Sequence, residues 1–239
     1  MNALQDKVLI SCPHETGLLE KDIVLGKNSM TDTPSFIWDL DGTLLDSYKV
    51  IVPSLYKTCC EFSIPFEENE ILNEVITHTV GDFLRKAEKE SGIFSDILLK
   101  RYTEIKDSEM LNIKPIKNAP ELLSQLQRRG ILNFVFTHRG ASTAAVLKNT
   151  GLYDYFDEII TGKDGFGRKP DPGAILYLIQ KHDLDKNNTY YVGDRTLDIE
   201  CAENAGVKSI LYLPEGSPAA PTGKETFVVN DLLEINRII

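Results

Sequence analysis

An alternation of strand-like and helix-like segments begins after Lys114-Pro115 and continues almost to the end of the chain. The strand-like segments are short and apolar, as buried strands are, and they read ILNFVFT, DEIIT, TYYVGD, KSILYL and TFVVN. Helix-like segments separate the first four, and SFIWDL, before residue 48, adds one earlier strand. This order predicts an α/β fold, a Rossmann-like, doubly wound parallel sheet with helices on both faces.

Residues 48–114 interrupt this alternation directly after the first strand. Their composition, rich in Leu, Ile, Glu and Lys, indicates helices. The predicted helices cover residues 49–63, 68–78, 80–91 and 95–111. We therefore predict a core domain of residues 31–47 and 115–239, with a helical cap domain, 48–114, inserted into it. Residues 1–30 show no strong periodicity and are interpreted as an N-terminal extension without an assigned role.

Composition limits the partners of the protein. The chain has 239 residues and a formal net charge of −10, which disfavours binding to nucleic acid and to anionic membranes. No segment approaches the roughly 20 apolar residues of a membrane span, and the apolar run near the N-terminus is too short for a signal peptide. We expect a cytoplasmic protein that binds a small molecule. The sequence leaves open whether it is a monomer or a homodimer.

Three of the predicted strands end in polar residues that could carry chemistry. These residues are Asp39 and Asp41 after SFIW, Thr137 after NFVF, and Asp194 and Asp198 after TYYVG. The loop before a predicted helix at 172–183 adds Lys169. Because ligands of open parallel sheets bind outside the carboxyl ends of the strands, we expect these side chains to meet at one edge.

This set of residues suits transfer of a phosphoryl group. A carboxylate can attack phosphorus and form an acyl phosphate, which splits a difficult hydrolysis into two steps. Carboxylates repel each other and a phosphate dianion, so the site needs a cation, and Mg²⁺ prefers oxygen ligands of this kind. Lys169 would stabilise the charge of both the phosphate and the nucleophile. Thr137 and nearby backbone N–H groups would bind phosphate oxygens, and Gly42 permits a turn that brings backbone close to them.

With these residues identified, the sequence resembles the haloacid dehalogenase superfamily of hydrolases. Four motifs occur in the order of that family: DLDGTLLDS at 39–47, FVFT ending at Thr137, RKPDP around Lys169, and GDRTLD at 193–198. The resemblance covers about residues 34–230. The helical insert directly after the first motif is similar to the C1-type cap of subfamily IA, which includes phosphoglycolate phosphatase-like and β-phosphoglucomutase-like members.

The resemblance implies a Mg²⁺-dependent phosphatase that acts on a small phosphorylated metabolite, a phosphoglycolate-like compound or a sugar phosphate, through an aspartyl-phosphate intermediate. Asp39 would be the nucleophile and Asp41 the general acid and base, with Thr137 and Lys169 completing the catalytic set. Thr137 and Lys169 would bind the phosphoryl group by this resemblance. Further candidate contacts of phosphate or substrate, beyond the resemblance, are Gly42, Thr43, His138 and Arg139. The metal would be bound by Asp39, Asp194 and the backbone carbonyl of Asp41, with Asp198 supporting the metal or its waters.

The cap is expected to close over the core and exclude water during transfer, with hinges near 47–49 and 112–116. In the cap, Gly81 resembles the glycine of the family's substrate-facing loop, and His78 is a candidate substrate contact. Two positions depart from the family pattern. His138-Arg139 stands where many relatives have Asn-Lys or a small residue, and Arg195 replaces a Ser or Asn. These residues would either bind an anionic substrate or pair with nearby acids.

Three other functions remain open from the sequence. A sugar-phosphate mutase would use the same residues and return the phosphate to its substrate. A signalling receiver domain also combines an acid cluster, a Thr or Ser and a Lys, but it is much shorter and lacks a helical insert after its first strand. A non-catalytic relative would act through binding alone, and the intact Asp39, Asp41, Lys169 and Asp194 argue against it.

Overall fold

Six parallel strands form the sheet of the protein. The computed structural model describes residues 33–239, so the predicted extension at 1–30 lies outside the described residues. The strands are β1 Ser35–Trp38, β2 Leu132–Phe136, β3 Glu158–Ile160, β4 Thr189–Gly193, β5 Lys208–Tyr212 and β6 Phe227–Val229. Their order is β3-β2-β1-β4-β5-β6, and every neighbouring pair is parallel. The predicted parallel α/β sheet is confirmed.

Both faces of the sheet are buried because successive strand residues point into two different apolar clusters. Four helices lie in the chain after residue 115: α5 Ala119–Arg128, α6 Thr143–Asn149, α7 Gly173–His182 and α8 Thr196–Ala205. In β1, Phe36 and Trp38 join the cluster that includes residues of α5 and α6. Ile37 joins the cluster that includes residues of α7 and α8. Burial on both faces explains why the strands read as continuous apolar runs rather than alternating ones.

Four helices lie between β1 and α5 in the chain, and we call them the cap helices. They are α1 Tyr48–Glu61, α2 Glu68–Thr77, α3 Val80–Ser91 and α4 Ser95–Glu109, followed by a 3₁₀ segment, Met110–Asn112. The cap helices enclose an apolar cluster of their own, to which each contributes: Leu55, Ile71, Phe83 and Leu98 are all buried in it. The predicted helices are therefore present, while the boundaries of a separate cap domain remain a prediction.

The two segments that connect the cap helices to the sheet run side by side. Leu45 forms an antiparallel bridge with Pro115. The backbone N–H of Asp46 donates to Lys114 O at 2.9 Å, and that of Ile116 donates to Leu44 O at 2.9 Å. Residues 44–46, directly before the predicted hinge at 47–49, thus pair with residues 114–116 of the other predicted hinge. The role of both hinges in closure remains a prediction.

Candidate active site

The turn after β1 places the first acid motif against the fourth. The backbone N–H of Asp39 still donates to Val192 O of β4 at 2.9 Å, which fixes Asp39 beside that strand. The chain then turns at Gly42, whose φ is +88°. A Cβ atom at Gly42 would collide with the carboxylate of Asp194 and the ring of Tyr48. Only glycine permits this conformation and this close approach together.

Lys169 links two of the predicted acids. Its Nζ lies 2.6 Å from Asp39 Oδ1 and 2.7 Å from Asp198 Oδ1, and its side chain is fully buried. The rings of Phe136 and Tyr191 each lie 5.3 Å from the ammonium group. Burial alone would lower the pKa of Lys169, but the carboxylates of Asp198 and Asp39 raise it above its ordinary value. Lys169 therefore carries its charge.

Three buried carboxylates form a group that could hold a metal ion. Oxygens of Asp39, Asp194 and Asp198 all lie within 4.8 Å of one another. Among residues 33–239, Asp39 Oδ2 is one of the few buried side-chain atoms without a hydrogen-bond partner. Burial raises the pKa of Asp39, and it raises the pKa of Asp194 to about 7. Both pKa values are raised because removing a carboxylate from water disfavours its charged form. A divalent cation would offset that cost in free energy, and an all-oxygen donor set suits Mg²⁺.

Asp194 and Asp198 differ in their hydrogen bonds. Asp194 accepts from hydroxyls, Thr43 Oγ1 at 3.1 Å and Tyr48 OH at 2.9 Å. Asp198 accepts from Lys169 Nζ through Oδ1 and from the backbone N–H of Arg195 at 3.1 Å through Oδ2. Burial would raise the pKa of Asp198, but Lys169 and Arg195 lower it below its ordinary value. Asp198 is thus a charged partner that fixes Lys169.

Asp41 pairs with Arg139, whereas Asp39 pairs with Lys169. Arg139 donates to Asp41 Oδ1 through Nε at 3.1 Å and also through Nη2. Burial alone would raise the pKa of Asp41, but the guanidinium of Arg139 lowers it below its ordinary value. The Asp41 carboxylate is not in the group formed by Asp39, Asp194 and Asp198. The two carboxylates of the first motif, with only Leu40 between them in the chain, therefore pair with different cations.

Asp39, Asp41 and Arg139 line a cavity of about 210 Å³ between the sheet edge and the cap helices, whereas Lys169, Asp194 and Asp198 are not among its lining residues. From the sheet edge and its loops, the cavity is lined by Asp39, Asp41, Thr137, His138, Arg139, Gly140, Arg168 and Arg195. From the cap helices and their loops it is lined by Tyr48, Ile51, Val75, Thr79, Val80, Gly81, Tyr102 and Lys106. Four of these side chains are basic, so a chain with a net charge of −10 has a cationic cavity beside its buried acids.

The structure places some predicted residues away from this cavity. The Thr43 hydroxyl is committed to Asp194, and the backbone N–H groups of Gly42 and Thr43 donate to Leu45 O and Leu40 O. Their part in phosphate binding stays a prediction. Gly81 lies in the first turn of α3 rather than in a loop, and it lines the cavity. His78 is exposed and lies 3.5 Å from Glu74 Oε2.

Sequence reasoning missed Tyr48, which lines the cavity and donates to Asp194. The only sequence signal was its position, at the start of α1 directly after the first motif. Lys106 and Tyr102, which line the cavity from α4, were also missed. They come from the last cap helix, far along the chain from every motif, so their approach depends on how the cap helices pack.

Comparisons with known proteins agree with this geometry. Residues 36–212 match the family described as haloacid dehalogenase-like hydrolase. A phosphoglycolate phosphatase of Aquifex aeolicus is 30% identical over 181 residues, which cover 74% of this chain and 83% of the relative. A pyrophosphatase, PpaX, of Oceanobacillus iheyensis is 29% identical over 209 residues, 86% of this chain and 96% of the relative.

A solved structure shows the same fold. The crystal structure of a predicted phosphoglycolate phosphatase from Haemophilus somnus superposes with a TM-score of 0.77 at 21% identity, covering 87% of this chain and 99% of that one. The family match spans most of the chain and includes all four motifs. The chain therefore belongs to the haloacid dehalogenase-like hydrolases, as its motifs predict.

Proposed function

We propose that this protein is a Mg²⁺-dependent phosphatase that hydrolyses a small phosphorylated metabolite through an aspartyl phosphate on Asp39. The observation that carries the proposal is the state of the Asp39 carboxylate. One oxygen is fixed by Lys169, and the other is buried without a partner among the described residues, beside Asp194. The relatives confirm the expected class of enzyme, a phosphoric monoester hydrolase.

In the first step, Asp39 attacks phosphorus, the bond from phosphorus to the leaving oxygen breaks, and Asp41 gives that oxygen a proton. In the second step, Asp41 takes a proton from a water that attacks the aspartyl phosphate, which releases phosphate and restores Asp39. Lys169 and Thr137 bind the phosphoryl oxygens. A bound Mg²⁺ would be held by Asp39, Asp194 and the Asp41 carbonyl, and it would offset the charge of the carboxylates and the phosphate.

Arg139 bears on the two roles of Asp41. Its ion pair favours the carboxylate, which is the form that accepts a proton from water. Protonating the leaving group requires the protonated form of Asp41. We infer that a bound substrate draws Arg139 away from Asp41 before that transfer, because Arg139 lines the same cavity. The predicted substrate contacts at His138 and Arg139 are part of this proposal.

The proposal extends to the domains and surroundings of the enzyme. Residues 48–114 act as a cap that moves on the segments near 47–49 and 112–116, and residues 31–47 and 115–239 form the core. The cavity volume fits a small metabolite. Among residues 33–239, no helix is long and apolar enough to cross a membrane. Location in the cytoplasm, absence of nucleic acid as a partner and the choice between monomer and homodimer remain predictions from the sequence.

Phosphate release from a panel of phosphorylated compounds tests the proposal. The panel contains 2-phosphoglycolate, pyrophosphate and hexose phosphates, each with Mg²⁺ and with EDTA. We expect metal-dependent release from a few of them and no isomerised sugar phosphate. The Aquifex relative is named a phosphoglycolate phosphatase and the Oceanobacillus relative a pyrophosphatase, which supports hydrolysis over the mutase alternative. An isomer without free phosphate would contradict the proposal, and so would release unaffected by EDTA.

A further inference from the structure

We propose that His138 is a positioning residue for Lys169, whose backbone N–H it binds through Nε2, and that its neutral ring carries the proton on Nδ1. The proposal rests on the proposed function, because Lys169 is part of that catalytic set. Its structural content, the hydrogen bond and the proton position, can be tested without activity.

The loop that carries Lys169 is joined to the end of β2 by three hydrogen bonds. The N–H of Thr137 donates to Ile160 O at 3.0 Å, and the N–H of Gly162 donates to Arg139 O at 3.0 Å, both where the loop begins. At the other end of the loop, the N–H of Lys169 donates to His138 Nε2 at 2.8 Å. Of these three bonds, the one to the His138 imidazole is thus the one made by the catalytic lysine itself.

This contact determines which ring nitrogen is protonated. A backbone N–H can only donate, so Nε2 must offer a lone pair, and the neutral imidazole then carries its proton on Nδ1. Four charged groups act on the ring: Lys169, Arg168 and Arg195 disfavour a positive imidazole, and Asp198 favours it. Burial and the three cations lower the pKa of His138 to about 3. Arg168 Nη2 lies 3.4 Å from Nδ1, but two donors make no hydrogen bond.

The lysine is therefore fixed at both ends of its side chain. Nζ is held between Asp39 and Asp198, and the backbone is held by His138. A side chain with four rotatable bonds reaches the correct point only when its backbone is fixed, and a misplacement of about 1 Å can cost 10²-fold in rate. His138 also lies one residue from Thr137, so it ties the two predicted phosphate ligands into one unit.

Three substitutions of His138 distinguish an effect on the position of Lys169 from an effect on the stability of the fold. In His138→Gln, the amide oxygen lies about as far from Cα as Nε2 and can accept the same bond. In His138→Asn, the same amide is one methylene too short, and His138→Leu has no acceptor. We expect kcat to fall on the order of 10²-fold in the Asn and Leu variants and only a few-fold in the Gln variant. The apparent affinity for Mg²⁺ and the thermal midpoint should change little in all three.

Two kinetic results would overturn the proposal. One is a loss of kcat in His138→Gln as large as that in His138→Leu. The other is a wild-type kcat in both His138→Asn and His138→Leu. A residue with a merely structural role would lower the thermal midpoint in proportion to its effect on kcat and would show no rescue by glutamine.

Nitrogen NMR of the wild-type ring gives a second test that does not depend on turnover. We expect a protonated Nδ1 and an unprotonated Nε2 from neutral to mildly acidic pH. A proton on Nε2 would overturn the proposal. If the wild-type protein releases no phosphate from any substrate while its ring shows the Nδ1 proton, the proposed function fails and the contact stands.

Discussion

Only Leu40 stands between Asp39 and Asp41 in the chain, but their carboxylates have different partners and therefore different properties. Lys169 holds Asp39, whose pKa is nevertheless raised by burial, whereas Arg139 outweighs burial at Asp41 and lowers the pKa there. A nucleophile must be charged and close to phosphorus, whereas an acid and base must exchange a proton. At the scale of single residues, these two cations give two identical side chains different environments, and substitutions at Asp39 and Arg139 test this separation.

Asp39→Asn removes the nucleophile and should lower kcat by at least about 10³-fold. The fold should be retained, because Lys169 keeps its ion pair with Asp198. Its thermal midpoint should not fall below that of the wild type, because burial disfavours the charged form of Asp39. Phosphate release and thermal unfolding measure the two effects. Near wild-type turnover in this variant would show that Asp39 is not the nucleophile.

Arg139→Gln removes the cation that lowers the pKa of Asp41. Burial then raises that pKa, so the carboxylate becomes protonated at higher pH. We expect the acidic limb of the pH profile of kcat to move to higher pH. Arg168→Gln is the matched control, since Arg168 lines the same cavity but does not contact Asp41. An acidic limb that stays in place in Arg139→Gln would contradict the role given to Asp41 as the base.

At the scale of elements, the sequence predicts the strands and the residues at their ends. All six strands, the four cap helices and the convergence of the motif residues could be predicted, because parallel strands bring their carboxyl ends to one edge. Pairings between distant elements could not be predicted from the sequence. Arg139 and Asp41 are 98 residues apart, and Tyr48 and Asp194 are 146 apart. These contacts depend on how α1 and the loop after β2 pack, and nothing in the local pattern specifies that.

The turn after β1 provides a test at this scale. Gly42→Ala would place a methyl group against Asp194 and Tyr48 at a positive φ. We expect a loss of Mg²⁺-dependent activity of about 10²-fold or more, because Asp194, the proposed metal ligand, must move. Gly92→Ala is the control: Gly92 also has a positive φ, 74°, but faces open space at the end of α3. It should lose about 1 kcal/mol of stability and keep its activity.

A Gly42→Ala enzyme with full activity and unchanged Mg²⁺ dependence would show that the close approach of the turn to Asp194 is not needed. Loss of activity in Gly92→Ala as large as in Gly42→Ala would indicate a general effect of strained backbone.

At the scale of the whole molecule, the buried acids link stability, pH and metal. Without metal, the folded protein holds Asp194 at a pKa of about 7, above the ordinary 3.8, because the carboxyl is buried. The folded state then binds more protons than the unfolded state, so this contribution to stability is fully present below pH 3.8 and is lost as the pH rises through about 7. A cation at Asp194 competes with that proton.

Mg²⁺ should therefore stabilise the protein more at about pH 8 than at about pH 6, because binding at the lower pH must displace the proton. Below about pH 7 we expect the affinity to change by about tenfold per pH unit. Thermal unfolding with Mg²⁺ and with EDTA at both pH values measures the effect. In Asp194→Asn, the difference between the two pH values should disappear. A larger Mg²⁺ effect at the lower pH would contradict this link.

The proposed mechanism requires a covalent phosphate at one position, so the most direct measurement is the mass of the Asp39 peptide. Asp41→Asn lacks the base for the second step, and a substrate with a good leaving group, such as p-nitrophenyl phosphate, needs no acid in the first. After reaction with Mg²⁺ and rapid acid quenching, this variant should carry a phosphoryl group on Asp39. The double variant with Asp39→Asn should carry none. An unmodified Asp39 in the Asp41→Asn enzyme, alongside turnover by the wild type, would contradict the aspartyl-phosphate mechanism.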